Sequence, residues 1–132
     1  MYSSPLQTYE TVNKTTMSGR EIEAAVLTKA ACKLKECQQN WNSEDREQKL
    51  NDALKYNQLI WSIFQGELKK EDNPLNKKLR ANLLQLSALV DRQIFESMGN
   101  PSPDKLNLVI DINNNIAAGL RQSPGIAPQS MK

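Results

Sequence analysis

One stretch limits what this chain can fold into more than any other: LNDALKYNQLIWSIFQGEL, from Leu50 to Leu68. Wound at about 100° per residue, it places Leu50, Ala53, Leu54, Asn57, Ile60, Trp61, Phe64 and Leu68 on one face. Tyr56, Leu59 and Ile63 fall on the opposite side, so the second half of this helix is apolar nearly all round. Such a helix cannot lie on a surface with water behind it. It runs through the middle of a bundle, or it keeps its back face for a partner.

The rest of the chain supplies more helices. With 132 residues, 39% hydrophobic and 24% charged, it has the make-up of one soluble domain. A chain of that length buries roughly two-thirds of its unfolded surface. Most of the Gly and Pro stand between periodic segments or near the ends, and the long stretches between them are rich in good helix formers. The fold class is therefore all-α: a compact antiparallel bundle of about four long helices plus a short N-terminal helix. A single helical domain is expected over 1–122, with 1–4 loose and 123–132 (SPGIAPQSMK) a disordered tail.

Taken in order, Pro5 is placed to start a short helix to about Asn13, with Leu6, Tyr9 and Val12 on its inner side, before a break at Thr15–Met17. Ser18-Gly19-Arg20-Glu21 has the form of a capping box. It starts a helix to about Trp41 with a single stripe, Ile22, Val26, Leu27, Ala30, Leu34, Cys37 and Trp41; this reads as a covering helix with one wet face. Ser43 is suited to cap the next helix, with Glu44 and Asp45 at the positive end of its dipole. That helix carries the central stretch and ends between Gly66 and Asp72, ahead of the breaker Asn73-Pro74.

The following helix is expected from about Leu75 to Met98, with a main stripe of Leu75, Leu79, Leu83, Leu86, Val90 and Ile94. A second apolar line, Ala81, Leu84, Ala88 and Phe95, lies on its other side. Ser102-Pro103-Asp104 signals the last helix. Leu106, Val109, Ile110, Asn113, Ile116, Ala117 and Leu120 form one face of it, with Leu108 and Ile112 toward the back. The expected structural core is Asn57, Trp61, Phe64, Leu79, Leu83, Leu86, Val90, Ile110, Asn113, Ile116 and Leu120. Three two-sided helices and one covering helix leave some apolar surface to be exposed, self-associated in a homodimer or covered by a client. The expected partner surface is the second line, Ala81, Leu84, Ala88 and Phe95, together with Leu59 and Ile63.

Catalysis has little to work with. The chain contains no His, no Gly-rich phosphate loop and no nucleophile-elbow motif. Cys32 and Cys37 lie about 140° apart on one helix, unsuited to a disulfide or a zinc spacing, so both read as free, partly buried thiols. No catalytic residue, cofactor or metal is expected. The N-terminus lacks the pattern of a signal peptide and no apolar run is long enough to span a bilayer, so a cytoplasmic location without membrane contact is expected.

Two polar features qualify this picture. The strongest basic patch, Lys69, Lys70, Lys77, Lys78 and Arg80, is diluted by Glu71 and Asp72. With a net charge of only +2 and 5% aromatic residues, direct RNA contact there is the alternative reading, not the main one. Asn57 and Asn113 each interrupt an apolar stripe. Either each sits at its stripe's edge or bonds a kinked backbone, or the two bond each other across facing helices and set the register.

The spacing Ala53-Leu54-x-x-Asn57-x-x-x-Trp61-x-x-Phe64, then Pro74-Leu75 and Leu79-Arg80, resembles the FlaF family of flagellar biosynthesis regulators of alphaproteobacteria. Ile110-x-Ile112-Asn113-x-x-Ile116-x-x-Gly119-Leu120 and the earlier Ser18-x-Arg20-Glu21-x-Glu23-Ala24 extend the likeness over Tyr9 to Leu120. Asn114 departs from it where a basic residue is expected, and Ala88-Leu89 where a tryptophan is expected. The resemblance implies a small helical, non-enzymatic cytoplasmic protein needed for flagellin production and export. It implies flagellin as client and FlbT as a post-transcriptional partner.

Overall fold

The computed structural model describes residues 19–122. The loose start, short helix over 5–13, Ser18 cap and disordered tail over 123–132 that the sequence leads one to expect all lie outside them. Four helices and a 3₁₀ turn follow in order: α1 (Gly19–Gln39), α2 (Arg46–Lys69), α3 (Lys77–Gly99), the turn Pro103–Leu106 and α4 (Asn107–Gln122). No strand occurs among the described residues. The all-α bundle holds.

Its centre lies elsewhere than expected. The most extensive packing is between α1 and α4, followed by α2 with α3 and α1 with α2, while α3 and α4 meet only briefly. The α1–α4 pair is antiparallel. At one end the Gln38 amide donates to Pro103 O (2.9 Å) and Asn107 Oδ1 (2.7 Å), and at the other Arg121 donates to Thr28 Oγ1 (3.1 Å). So α1 keeps the expected single wet face, exposed at Glu21, Lys29, Cys32, Lys35 and Glu36, but is no mere cover: it packs against both α2 and α4. Alanine makes this possible. Ala24, Ala30 and Ala31 are buried beside Val26, Leu27, Leu34 and Cys37, and side chains of one carbon let neighbouring backbones close in.

The expected face of α2 is buried at Leu50, Ala53, Leu54, Asn57, Ile60, Trp61 and Leu68, with Phe64 half-buried. Phe64 meets Trp61 edge-on, with centroids 5.9 Å apart and rings at 89°. Cations over rings line the margins, between α1 and α2 at Tyr56 and between the connecting loop and α2 at Trp41. Lys29 and Lys33 lie 5.6 and 5.1 Å from the Tyr56 centroid, and Arg46 lies 4.4 Å from that of Trp41.

Helix ends account for most corrections. α1 stops at Gln39, short of Trp41: the Asn40 backbone N–H makes the last helical bond to Glu36 O (3.0 Å), which its side-chain amide also reaches (2.9 Å), and the chain then turns, Ser43 N donating to Asn40 O (3.0 Å). Ser43 does not cap α2: its hydroxyl donates to Asp45 Oδ1 (2.8 Å), a bond that holds that carboxyl below the usual carboxylate range. α3 begins at Lys77, not Leu75, because Asn76 supplies the cap, its Oδ1 accepting from Leu79 N at 2.8 Å. Asn73 Oδ1 accepts from Leu75 N (3.0 Å), which commits Leu75 to the turn. Ser102 makes no side-chain cap either, and the chain enters α4 through the 3₁₀ turn. That turn is held by Gln93 donating to Lys105 O (3.1 Å).

Along α3 only Ser87, Val90, Ile94 and Ser97 are buried, all in its second half. Leu79, expected in the core, is 41% exposed in the first turn of α3. Leu83, Leu86, Ile116 and Leu120 are half-buried, and Val90, Ile110 and Asn113 are buried. Ile112, expected toward the back of α4, is buried, while Leu108 stays exposed.

Candidate partner-binding surface

The interior is fixed by a polar chain through three helices. Asn113 Nδ2 donates to Asn57 Oδ1 (2.7 Å), and Trp61 Nε1 donates to Asn113 Oδ1 (2.8 Å). Asn57 Nδ2 donates to Ala53 O (2.9 Å) within α2 and to Ala30 O (3.1 Å) on α1. Both asparagines are fully buried, so the two do bond across facing helices. Three of the four polar positions of Asn57 are thereby used, and the indole N–H has its one partner. Sliding any of the three helices by one residue would break several of these bonds in a dry interior, at a cost of about 1–3 kcal/mol for each group left unpaired. This cluster positions the fold; it offers nothing to a ligand.

The outer face of α3 is different. Phe95 is 76% exposed, the most exposed large apolar side chain described. Ala81 and Ala88 are also exposed, and Leu84 is half-buried. Helical spacing sets these four in one row along the helix, on the side away from Val90. Leu59 and Ile63 do not join that row. Gln65 Nε2 donates to Asp91 Oδ2 (2.8 Å), which puts α3 on the Gln65 side of α2. Ile63, two residues earlier and so roughly 200° round the helix, turns instead to α1, where it lines a cleft with Ile22, Val26 and Ile60. Leu59 is 53% exposed on the outside of α2, in neither place. The six residues therefore belong to separate surfaces.

A second apolar concavity opens at the end of the bundle where α1 starts and α4 finishes. It is a cleft of about 150 Å³ between Leu27, Trp61, Phe64, Leu68, Leu75, Leu83, Ile116 and Leu120. Glu23 and Glu67 stand at its rim and also border the Ile63 cleft on the other side of Phe64. Burial against these apolar walls pushes the Glu23 carboxyl above the usual glutamate range; Arg20 offsets this, and nearby Glu67 adds to it. Sequence reading missed this cleft, because no single helix contains it. Its one signal was the stripe Leu75, Leu79 and Leu83, three leucines in search of a cover.

The basic patch is exposed at Lys69, Lys70, Lys77 and Lys78. Arg80 has a structural task, its Nε donating to Leu68 O (3.1 Å) at the C-terminus of α2, and Lys70 pairs with Glu67 at 3.1 Å. Both cysteines are free: Cys37 is buried, which pushes its thiol up, while Cys32 is exposed, contrary to the expectation that both are partly buried. Among the described residues there is no cluster of acids and cysteines fit to hold a metal ion, and no helix long and apolar enough to cross a membrane.

A family model described as "Flagellar protein FlaF" matches residues 5–120. No curated protein and no solved structure matches the chain.

Proposed function

Because the chain belongs to the FlaF family of flagellar proteins, we propose that it is a cytoplasmic flagellin-binding chaperone that promotes flagellin synthesis and secretion. The observation that carries this reading is the row on α3 with Phe95 76% exposed. A soluble monomer gains nothing from an exposed Phe at the end of a row with two exposed alanines, whereas a client helix gains a knob and, beside it, shallow seats. The terminal segments of flagellin are amphipathic helices, and uncovered they would associate before export. A helix laid along Ala81, Leu84, Ala88 and Phe95 would bury its apolar stripe there, with small residues allowing close approach and Phe95 as anchor. Binding and release then follow mass action, and no nucleotide or catalytic group is involved.

Light scattering on the purified chain, alone and mixed with flagellin, tests this. A monomer that passes into a stable heterocomplex is expected, and Phe95→Glu should abolish the shift while leaving helicity and Tm unchanged. A dimer indifferent to flagellin would assign the row to self-association.

A second reading rests on the four lysines exposed around the α2–α3 turn. In it the protein acts on flagellin mRNA, directly or through FlbT. Salt separates the two: phosphate contacts weaken steeply with ionic strength, and an apolar row does not.

A further inference from the structure

The row on α3 has charge at both of its ends. α2 and α3 run antiparallel: Leu50 and Leu54 lie beside Met98 at one end, and Arg80 reaches Leu68 O at the other. Past Phe95 the pair opens into a cleft of about 950 Å³ between Leu50, Leu54, Met98 and Pro101. Glu44, Asp45 and Glu47 also line it, and all three are exposed. Asp45 has Lys49 at 3.5 Å, but Glu44 and Glu47 have no ion-pair partner among the described residues. Arg46, on the same lining, is turned onto the Trp41 ring.

The opposite end is basic. Helical spacing puts Lys77 on the row, one turn before Ala81, and Lys69 one turn after Gln65, whose amide reaches Asp91 of α3. Both lysines are exposed, with no ion-pair partner among the described residues, whereas Lys70 is taken by Glu67 and Arg80 by Leu68 O. Glu71 and Asp72 lie past the end of α2. The outer side of the α2–α3 pair is thus a strip about 32 Å long from Lys77 to Met98. It is positive at its start, apolar through Ala81, Leu84, Ala88 and Phe95, and negative in the cleft where it ends.

We propose that the occupant of this strip is an amphipathic helix of matching polarity: acidic residues at one end of its apolar stripe sit over Lys69 and Lys77, and basic residues at the other end sit in the cleft against Glu44 and Glu47. This rests on the reading of the Phe95 row as a client surface, and adds which kind of client it takes and which way round the client lies. Apolar burial on the row supplies affinity. The ends, open to water, supply direction and speed of encounter, because turning the occupant end for end sets like charges against each other twice.

Two synthetic peptides of about 21 residues, long enough to cover the strip and sharing one Leu/Ala stripe, test this on the full chain. The first carries glutamates at one end and lysines at the other; the second has the same charges alternated along its length. Fluorescence anisotropy at low salt should show the first binding at least about tenfold tighter, a gap that closes as salt rises. A nitroxide on its acidic end should broaden the amide signals of Lys77–Ala81 and spare those of Ser97 and Met98. Broadening at the far end, at both ends alike or away from α3 overturns the proposal, as does equal affinity or no binding of either peptide. Lys69→Glu/Lys77→Glu should erase the gap, and a gap kept in full by the folded variant overturns it; should that variant not fold, the wild-type label pattern decides alone. Light scattering with flagellin separates this from the chaperone reading. A flagellin complex without any peptide preference keeps that reading and overturns the polarity, and a directed peptide with flagellin unbound keeps the polarity and removes flagellin as the client.

Discussion

α1 and α3 are of nearly equal length and play opposite parts. α3 carries five leucines, and none of them is buried; its interior contacts fall to Val90, Ile94 and two serines. α1 has only two leucines, both buried, and fills its remaining contacts with three alanines, a valine and a cysteine. Apolar content therefore does not measure how central a helix is. What counts is how close a neighbour can come: alanines allow α1 to lie against both α2 and α4, while the bulk of α3 holds it at the margin and leaves surface over.

The sharpest way to break this contrast is at the polar link of α1 to the interior. Asn57→Ala removes the donor to Ala30 O and strands Asn113 Nδ2 in a dry core, so urea denaturation should show a loss of about 3 kcal/mol. A loss below about 1 kcal/mol would mean that packing alone holds α1 in place. Next, Ala30→Leu forces three extra carbons between helices at a fully buried position and should cost about 2 kcal/mol in the same measurement.

Smaller effects follow at the open end. The Glu23 carboxyl binds its proton more tightly in the folded state than in the unfolded chain. Its contribution to stability is therefore best at low pH and declines as pH rises through the folded value. Glu23→Gln should remove that decline and raise stability at neutral pH, by less than about 1 kcal/mol because the residue still reaches solvent. A variant less stable than wild type at pH 7 would show that Arg20 outweighs desolvation. The smallest change belongs to α3: Leu79→Ala should shift stability by about 0.5 kcal/mol or less, against 2–5 for a leucine of the core.

The sequence was most readable where a single helix decides the outcome. The face of α2 from Leu50 to Leu68 follows from periodicity alone, and Asn57 and Asn113 announced themselves by interrupting apolar stripes. What stayed hidden depended on two segments at once. Ala24 and Ala31 look indifferent in a pattern weighted by bulk, and only the approach of α4 gives them meaning. Ser43 and Ser102 have the right chemistry for caps, but an Asp two residues on claimed the first hydroxyl, and a 3₁₀ turn displaced the second helix start. Leu59 and Ile63 seemed to extend the partner row because a helical wheel does not say on which side the next helix docks.

The pairing of α1 with α4 has a consequence for how the chain acquires its shape. The bonds that join them span 69 and 93 residues, whereas α2 and α3 form a local hairpin. During synthesis that hairpin can assemble early, but α1 must wait until the segment beyond Asn107 has left the ribosome. Until then its alanine face and the hole awaiting Asn113 stay open to water. A nascent chain halted before α4 should thus remain protease-sensitive throughout α1, and full protection should arrive in one step as the last helix closes.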